Sequence, residues 1–132
     1  MNTLSPEQRA DFAICQKIQE KHGKSYAFAT RFFPLEKRLA THALYAFFRV
    51  PDDIVDETYR TDPIQARIAL EGWREEWRKA YEGFPSDEPV LRATALVFHH
   101  FQIPYEYSES FLEAMIQDTQ QTRYQTYEDL RS

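Results

Sequence analysis

Apolar residues recur along this chain at helical steps, and short polar punctuation divides them into segments. Near the N-terminus, Ser5, Pro6 and Gln8 read as an N-cap, a first helical position and a capping-box partner. Phe12, Cys15 and Ile18 follow at three-residue steps, and that face ends near "KHGK". A second helix is predicted from about Pro34 through Leu35, Leu39, Ala43, Ala46 and Phe47 toward an acidic cluster. Asp62, Pro63 and Gln65 repeat the starting device. Ala66, Ala69 or Leu70, Trp73, Trp77 and Ala80 then form a stripe that Gly83 stops. "SDEP" opens another helix with Val90, Ala93, Val97 and Phe101, closed at Ile103-Pro104, and one more starts around Ser108 with Phe111, Leu112, Met115 and Ile116. No period-2 run of useful length and no internal repeat occurs, so the pattern predicts an all-α fold.

At 132 residues the chain is one domain's worth, or part of a larger one. The segment "TYEDLRS" places Thr126 as a cap with Asp129 three residues on, which reads as a helix beginning about one turn before the last residue. A helix that short does not stand alone. The expectation is therefore that residues 1–132 are the N-terminal portion of a single domain whose C-terminal half is absent.

Composition narrows the function. The apolar fraction is 42%, with ten Phe, eight Tyr and two Trp, enough to build a core rather than a disordered chain. A formal net charge of −5 with no basic block argues against nucleic-acid binding. The single cysteine, Cys15, suits a reducing cytoplasm, and no run approaches the roughly 18 apolar residues of a membrane span. Three glycines, at 23, 72 and 83, are too few for phosphate-cradling loops.

The acidic cluster lies in "YAFFRVPDDIVDE", Tyr45 to Glu57. At about 100° per residue, Tyr45, Arg49, Asp52 and Asp56 fall within roughly 60° on one face, flanked by Asp53 and Glu57. Two carboxylates one turn apart, about 5–6 Å at Cβ, repel unless a cation joins them. Mg2+ suits them because it takes one or two protein carboxylates and leaves its other positions to water and phosphate oxygens. Arg49 would add a direct phosphate contact. Pro51 offers another reading: the helix ends at Val50, and Asp52 and Asp53 merely complement the dipole of a new helix start. A second polar cluster, Lys21, His22, Lys24, Ser25 and Tyr26, reads either as an anion site at a short helix start near Ser25 or as a solvated connection. There is no Glu-x-x-His pair, HExxH or Walker loop; His99-His100 reads as partly exposed, and Asp118 faces either a cavity or water.

Together the two clusters resemble a known family. "HGKSYAFATRFFPLEKRLATHALYAFFRVPDDIVDE" resembles the N-terminal region of squalene and phytoene synthases, head-to-head prenyl transferases with the all-helical isoprenoid synthase fold. The likeness extends more loosely over the whole chain, including "MIQDTQQTRYQTYEDL". The resemblance implies Mg2+ on Asp52 and Asp56, supported by Asp53 and Glu57, with Tyr45 and Arg49 lining a diphosphate pocket. It implies that His22, Lys24, Ser25 and Tyr26 contact a diphosphate or the front of a prenyl chain. Phe28, Phe32, Phe47 and Phe48 become either apolar walls or core.

The implied reaction joins two prenyl diphosphates, geranylgeranyl or farnesyl, through an allylic cation and a cyclopropyl intermediate. The wording of "FFRVPDDIVDE" lies closer to the phytoene than to the squalene enzymes. The family's second aspartate-rich motif is missing from the chain. Glu106, Glu109, Glu113 and Asp118 lack its spacing, so half a metal site and little turnover are expected of these residues alone.

Two rivals stand beside this reading. Head-to-tail prenyltransferases usually follow DDxxD with paired arginines, whereas only Arg60 follows here. A non-catalytic helical scaffold piece would leave the carboxylates merely solvated. A cytoplasmic location, peripheral membrane contact to collect lipid substrate, and self-association through aromatic surface complete the expectations.

Overall fold

In a computed structural model the chain folds as helices joined by short connections. The structure describes residues 3–58 and 62–117, the side chains of residues 26, 57 and 58 excepted. The expected segment after Asp118, with its Thr126 cap, lies outside the described residues. Five helices are α1 (Pro6–His22), α2 (Lys24–Thr30), α3 (Leu35–Thr58), α4 (Pro63–Glu82) and α5 (Pro89–His100). A sixth, α6, covers 105–117. The fold is all-α, with no strand among the described residues, as expected for part of an isoprenoid synthase-type bundle. No helix among them is long and apolar enough to cross a membrane.

The punctuation acts largely as the sequence predicts. Ser5 Oγ accepts from the Gln8 N–H at 3.1 Å, and the Gln8 side chain accepts from the Ser5 N–H at 2.8 Å, closing the box. Asp62 caps α4 by accepting from the Ile64 and Gln65 N–H groups. Gly83 ends α4 in the left-handed conformation at φ 100°, where a Cβ would be strained. Glu88 caps α5. The helix expected near Ser108 begins three residues earlier, at 105, so that Ser108 lies inside it and accepts from Trp77 Nε1 at 2.8 Å.

Pro51 does not break the second predicted helix. α3 runs through it as one helix of 24 residues, with Pro51 buried. The alternative of a fresh helix start at Pro51 is thereby excluded. The ring removes one backbone donor, a cost of about 3 kcal/mol in an interior position, and burial among core residues offsets it.

α3 is the central element, packing against α1, α4 and α5. Its Ala43, Ala46 and Phe47 are fully buried. Phe47 meets Trp77 edge-on at 4.9 Å, and Trp77 meets Phe98 at 5.0 Å, so α3, α4 and α5 share one aromatic core.

Two polar contacts add to it, one at the bundle edge and one buried. Arg92 on α5 donates through Nε (3.0 Å) and NH2 (2.8 Å) to both oxygens of Asp11 on α1, whose side chain is only 7% exposed. Nearer the C-terminal end of α1, Gln19 is buried and hydrogen-bonded through Oε1 to Nδ1 of the buried His42 of α3. Burial first, then the positive charge of Arg38, holds the His42 imidazole below its ordinary 6.5, with Glu20 opposing.

Two outcomes follow for stability. Asp11→Ala leaves Arg92 without its charged partner and is expected to cost about 1–3 kcal/mol in urea unfolding, whereas an exposed substitution such as Gln16→Ala stays within about 0.5 kcal/mol. For His42, the unfolded chain takes up a proton more readily than the folded one below about pH 6.5. Stability contributed by the neutral ring is therefore present above that pH and falls on acidification, by at most about 1.4 kcal/mol per pH unit. Unfolding free energies measured between pH 7 and 5 should fall less steeply in His42→Gln; an unchanged slope refutes this role.

Candidate functional site

The apolar face of α3 is used up by the core, which leaves its polar stripe at the edge of the bundle. Within that stripe Arg49 reaches both neighbouring acids of the next turn. Its Nε and NH2 donate to Asp53 Oδ1 at 2.9 and 2.8 Å, and its NH1 lies 3.5 Å from Asp52 Oδ2. Burial works against the guanidinium charge, but the Asp53 hydrogen bond and the charges of Asp53, Asp52 and Tyr45 outweigh it and raise the Arg49 pKa.

The acids differ in exposure. Asp52 is half exposed at its side chain (51%) and Asp56 is exposed, while Asp53 is more enclosed at 33%. The second oxygen of Asp53 lies 3.7 Å from His22 Nε2 at the end of α1. Asp53, expected only to support its neighbours, is therefore the joint between the two polar clusters. A stripe count centred on Tyr45, Arg49, Asp52 and Asp56 places Asp53 on a flank, and only the docking of α1 gives the flank a partner.

A second contact makes the same joint. A Cβ built on Gly23 would sit 3.0 Å from the Tyr45 hydroxyl and 3.2 Å from two of its ring carbons. The missing side chain at Gly23 lets the Tyr45 ring lie against the turn between α1 and α2. The rarity of glycine in the chain is the only sequence signal that pointed there.

The remaining predicted residues are distributed around this joint. α2 starts at Lys24 with Gly23 in the cap position, so Ser25 is not the N-cap; it lies exposed in the first turn. The Tyr26 side chain is outside the described residues. Lys24 lines a cavity of about 580 Å3 between α1, α2 and α3, together with Arg31, Arg38 and His42. Phe47 is core, which settles its open assignment. Phe28 and Phe32 are exposed and meet edge-on at 5.9 Å, and Phe48 meets Phe111 of α6 at 4.5 Å. Glu109 is taken up by Arg74 and by the Tyr105 hydroxyl, away from this stripe.

Among the described residues, no group of three or more His, Cys, Asp or Glu side chains stands close enough to enclose a metal. A cation that keeps most of its shell for water and phosphate oxygens asks for only one or two carboxylates. Asp52 and Asp56 meet that requirement by type and exposure: both are oxygen donors open to solvent on one face of one helix.

Comparison with known proteins bears on the same residues. The family model for squalene/phytoene synthase matches residues 19–132, from just before His22 through the whole acidic stripe. The chain belongs to the squalene/phytoene synthase family. Relatives in this family include the phytoene synthase of Rhodobacter capsulatus, 34% identical over 123 residues, which cover 93% of this chain and 36% of that protein. The phytoene synthase of Cereibacter sphaeroides is 32% identical over 123 residues, covering 89% of this chain and 35% of the relative. That of Arthrospira platensis is 27% identical over 130 residues, covering 96% and 40%. The chain thus spans about 35–40% of the length of the curated relatives it matches. No solved structure gives a significant match.

The Gly23–Tyr45 contact of this family member is testable by a double-mutant cycle. Gly23→Ala is expected to destabilise the chain by about 1 kcal/mol as the added methyl group forces the ring aside. In a Tyr45→Ala background the same substitution should be neutral or stabilising, giving a coupling of at least about 0.5 kcal/mol in urea unfolding. Additive effects would show that the two residues do not meet.

Proposed function

We propose that this chain carries the first metal–diphosphate half-site of a phytoene synthase-like, head-to-head prenyl transferase. The observation that carries the reading is the joint just described. Arg49, Asp52, Asp53 and Asp56 lie along one helix that Pro51 does not interrupt, and the His22–Gly23 turn is docked onto it through Asp53 and Tyr45. Membership of the family and the similarity to three phytoene synthases support the same assignment.

In this reading Asp52 and Asp56 hold Mg2+, which when bound neutralises the charge of a departing diphosphate. Arg49 is the residue that both restrains the acids and turns a donor toward phosphate. Its planar guanidinium has five N–H groups; Asp53 takes Nε and NH2, and NH1, 3.5 Å from Asp52, is the longer contact that a phosphate would replace. Tyr45 presents a hydroxyl beside Arg49, and His22, Lys24, Ser25 and Tyr26 supply donors from the facing turn and α2. The exposed Phe48 and the half-buried Phe111 offer an apolar surface next to the acidic stripe, where exclusion of water would protect an allylic cation.

The substrates in this reading are prenyl diphosphates, geranylgeranyl or farnesyl, and the product is of the phytoene type. In this reading a second acidic half-site, beyond the described residues, faces the first and completes the pocket. The exposed aromatic residues Phe28, Phe32 and Phe48 make self-association and contact with a membrane surface parts of the same proposal.

Calorimetric titration with geranylgeranyl diphosphate tests the half-site. Addition of Mg2+ is expected to strengthen binding at least tenfold in the unaltered chain and to leave Asp52→Asn/Asp56→Asn unchanged. No Mg2+-dependent gain in the unaltered chain, or an equal gain in the double variant, overturns the assignment.

A further inference from the structure

Behind the joint of the candidate site lies a buried pair that the proposed chemistry does not use. Gln19 of α1 is fully buried and His42 of α3 is 3% exposed, and the two are hydrogen-bonded through Oε1 and Nδ1. Gln19 stands three residues before His22 and four before Gly23, and His42 stands three before Tyr45. On a helix those spacings are one turn, so the pair lies one turn behind the contacts that join the His22–Gly23 turn to the acidic stripe. The Gln19 carbonyl also accepts from the Gly23 N–H at 2.7 Å. One residue therefore ends α1 through its backbone and ties it to α3 through its side chain.

Packing alone does not ask for a polar pair here. Phe12 and Cys15 lead the buried face of α1 into Gln19, and Ala43, Ala46 and Phe47 of α3 are fully buried. The Gln19 amide nitrogen is buried without a hydrogen-bond partner, and turning the amide over would strand its oxygen instead. A group left this way opposes folding, whereas two apolar side chains of the same shape carry no such penalty. What an apolar pair does not supply is direction. Hydrophobic contact is indifferent to a slide of one helix along another, and a hydrogen bond is not. Fixing register is the best-attested use of buried polar contacts between helices.

The site depends on that register. A Cβ at Gly23 would lie 3.0 Å from the Tyr45 hydroxyl, and His22 Nε2 lies 3.7 Å from Asp53 Oδ2. Moving α1 along α3 by one helical rise, about 1.5 Å, would crowd or part both contacts. His22 and Asp53 are partly open to water, which weakens their pairing, whereas the pair behind them is shut off from it.

We propose that Gln19 and His42 are positioning residues for the diphosphate half-site. Their hydrogen bond sets the register of α1 on α3, and so brings the His22–Gly23 turn against Tyr45 and Asp53. The functional part of this inference rests on the half-site reading above; the register itself does not.

The test compares the 132-residue chain with Gln19→Met/His42→Leu by NMR, urea unfolding and calorimetry. The Gly23 α-proton in the Cβ direction lies against the Tyr45 ring, so its ring-current shift, taken relative to Tyr45→Leu, reports the register. The double variant is expected to keep or raise its urea midpoint and to lose at least half of that shift. Its Mg2+-dependent gain in affinity for geranylgeranyl diphosphate should fall at least fivefold below that of the unaltered chain. Gln19→Leu alone, which leaves the His42 N–H without its acceptor, should lose the shift as well. Val97→Ala, a core change on α5, should lower the midpoint and keep the shift, which separates register from stability. A full Gly23 shift in both Gln19 variants overturns the register role. A lost shift with an undiminished Mg2+ gain overturns its bearing on the half-site. Absence of any Mg2+ gain in the unaltered chain overturns the half-site reading, and the Gly23 shift alone then decides whether the pair sets the register.

Discussion

Continuity of α3 across Pro51 is the constraint on which the remaining geometry rests. A helix fixes the angular relation of every residue along it, so Phe47 can anchor in the core while Arg49, Asp52 and Asp56 hold a defined orientation outside it. A break at Pro51 would free the acids to rotate independently of Tyr45 and Arg49. The lost backbone hydrogen bond is tolerated because the proline ring itself is buried and the helix on both sides is held by neighbours.

Repulsion among the acids is then managed locally. One guanidinium serves two carboxylates, and the more enclosed of them, Asp53, also faces an imidazole from another helix. Asp52 and Asp56 remain open, where water screens them. This division ties one acid into the architecture and leaves two open to solvent.

Much of this was legible in the sequence, and the parts that were not have identifiable physical causes. Ser5, Asp62, Gly83 and the Trp73–Trp77 stripe fixed helix limits and buried faces, because caps and periodicity are local. Local signals could not choose between a continuous and a broken helix at Pro51, since burial of the ring decides it and burial is tertiary. A short helix was expected to start near Ser25, and α2 begins one residue earlier, at Lys24, with Gly23 in the cap position. The roles of Asp53 and Gly23 depend on how α1 and α2 dock, and no spacing rule reports docking. Phe47 and Phe48 are adjacent in sequence but lie in the core and at the edge, as helical geometry requires once one of them is buried. The cationic lining of the inter-helix cavity draws on three segments, and of its cations Arg31 and Arg38 do not stand out in their own segments.

The Asp11–Arg92 pair joins residues 81 positions apart. During synthesis at about 5–20 residues per second, α1 exists for roughly 4–16 s before its guanidinium partner has been made. Through that interval the Asp11 carboxylate has no countercharge to enter the interior with and stays hydrated. α1 has its α3 partners within reach before α5 is made, so the Asp11 end of α1 is the part of that helix that waits for an arginine on the fifth helix.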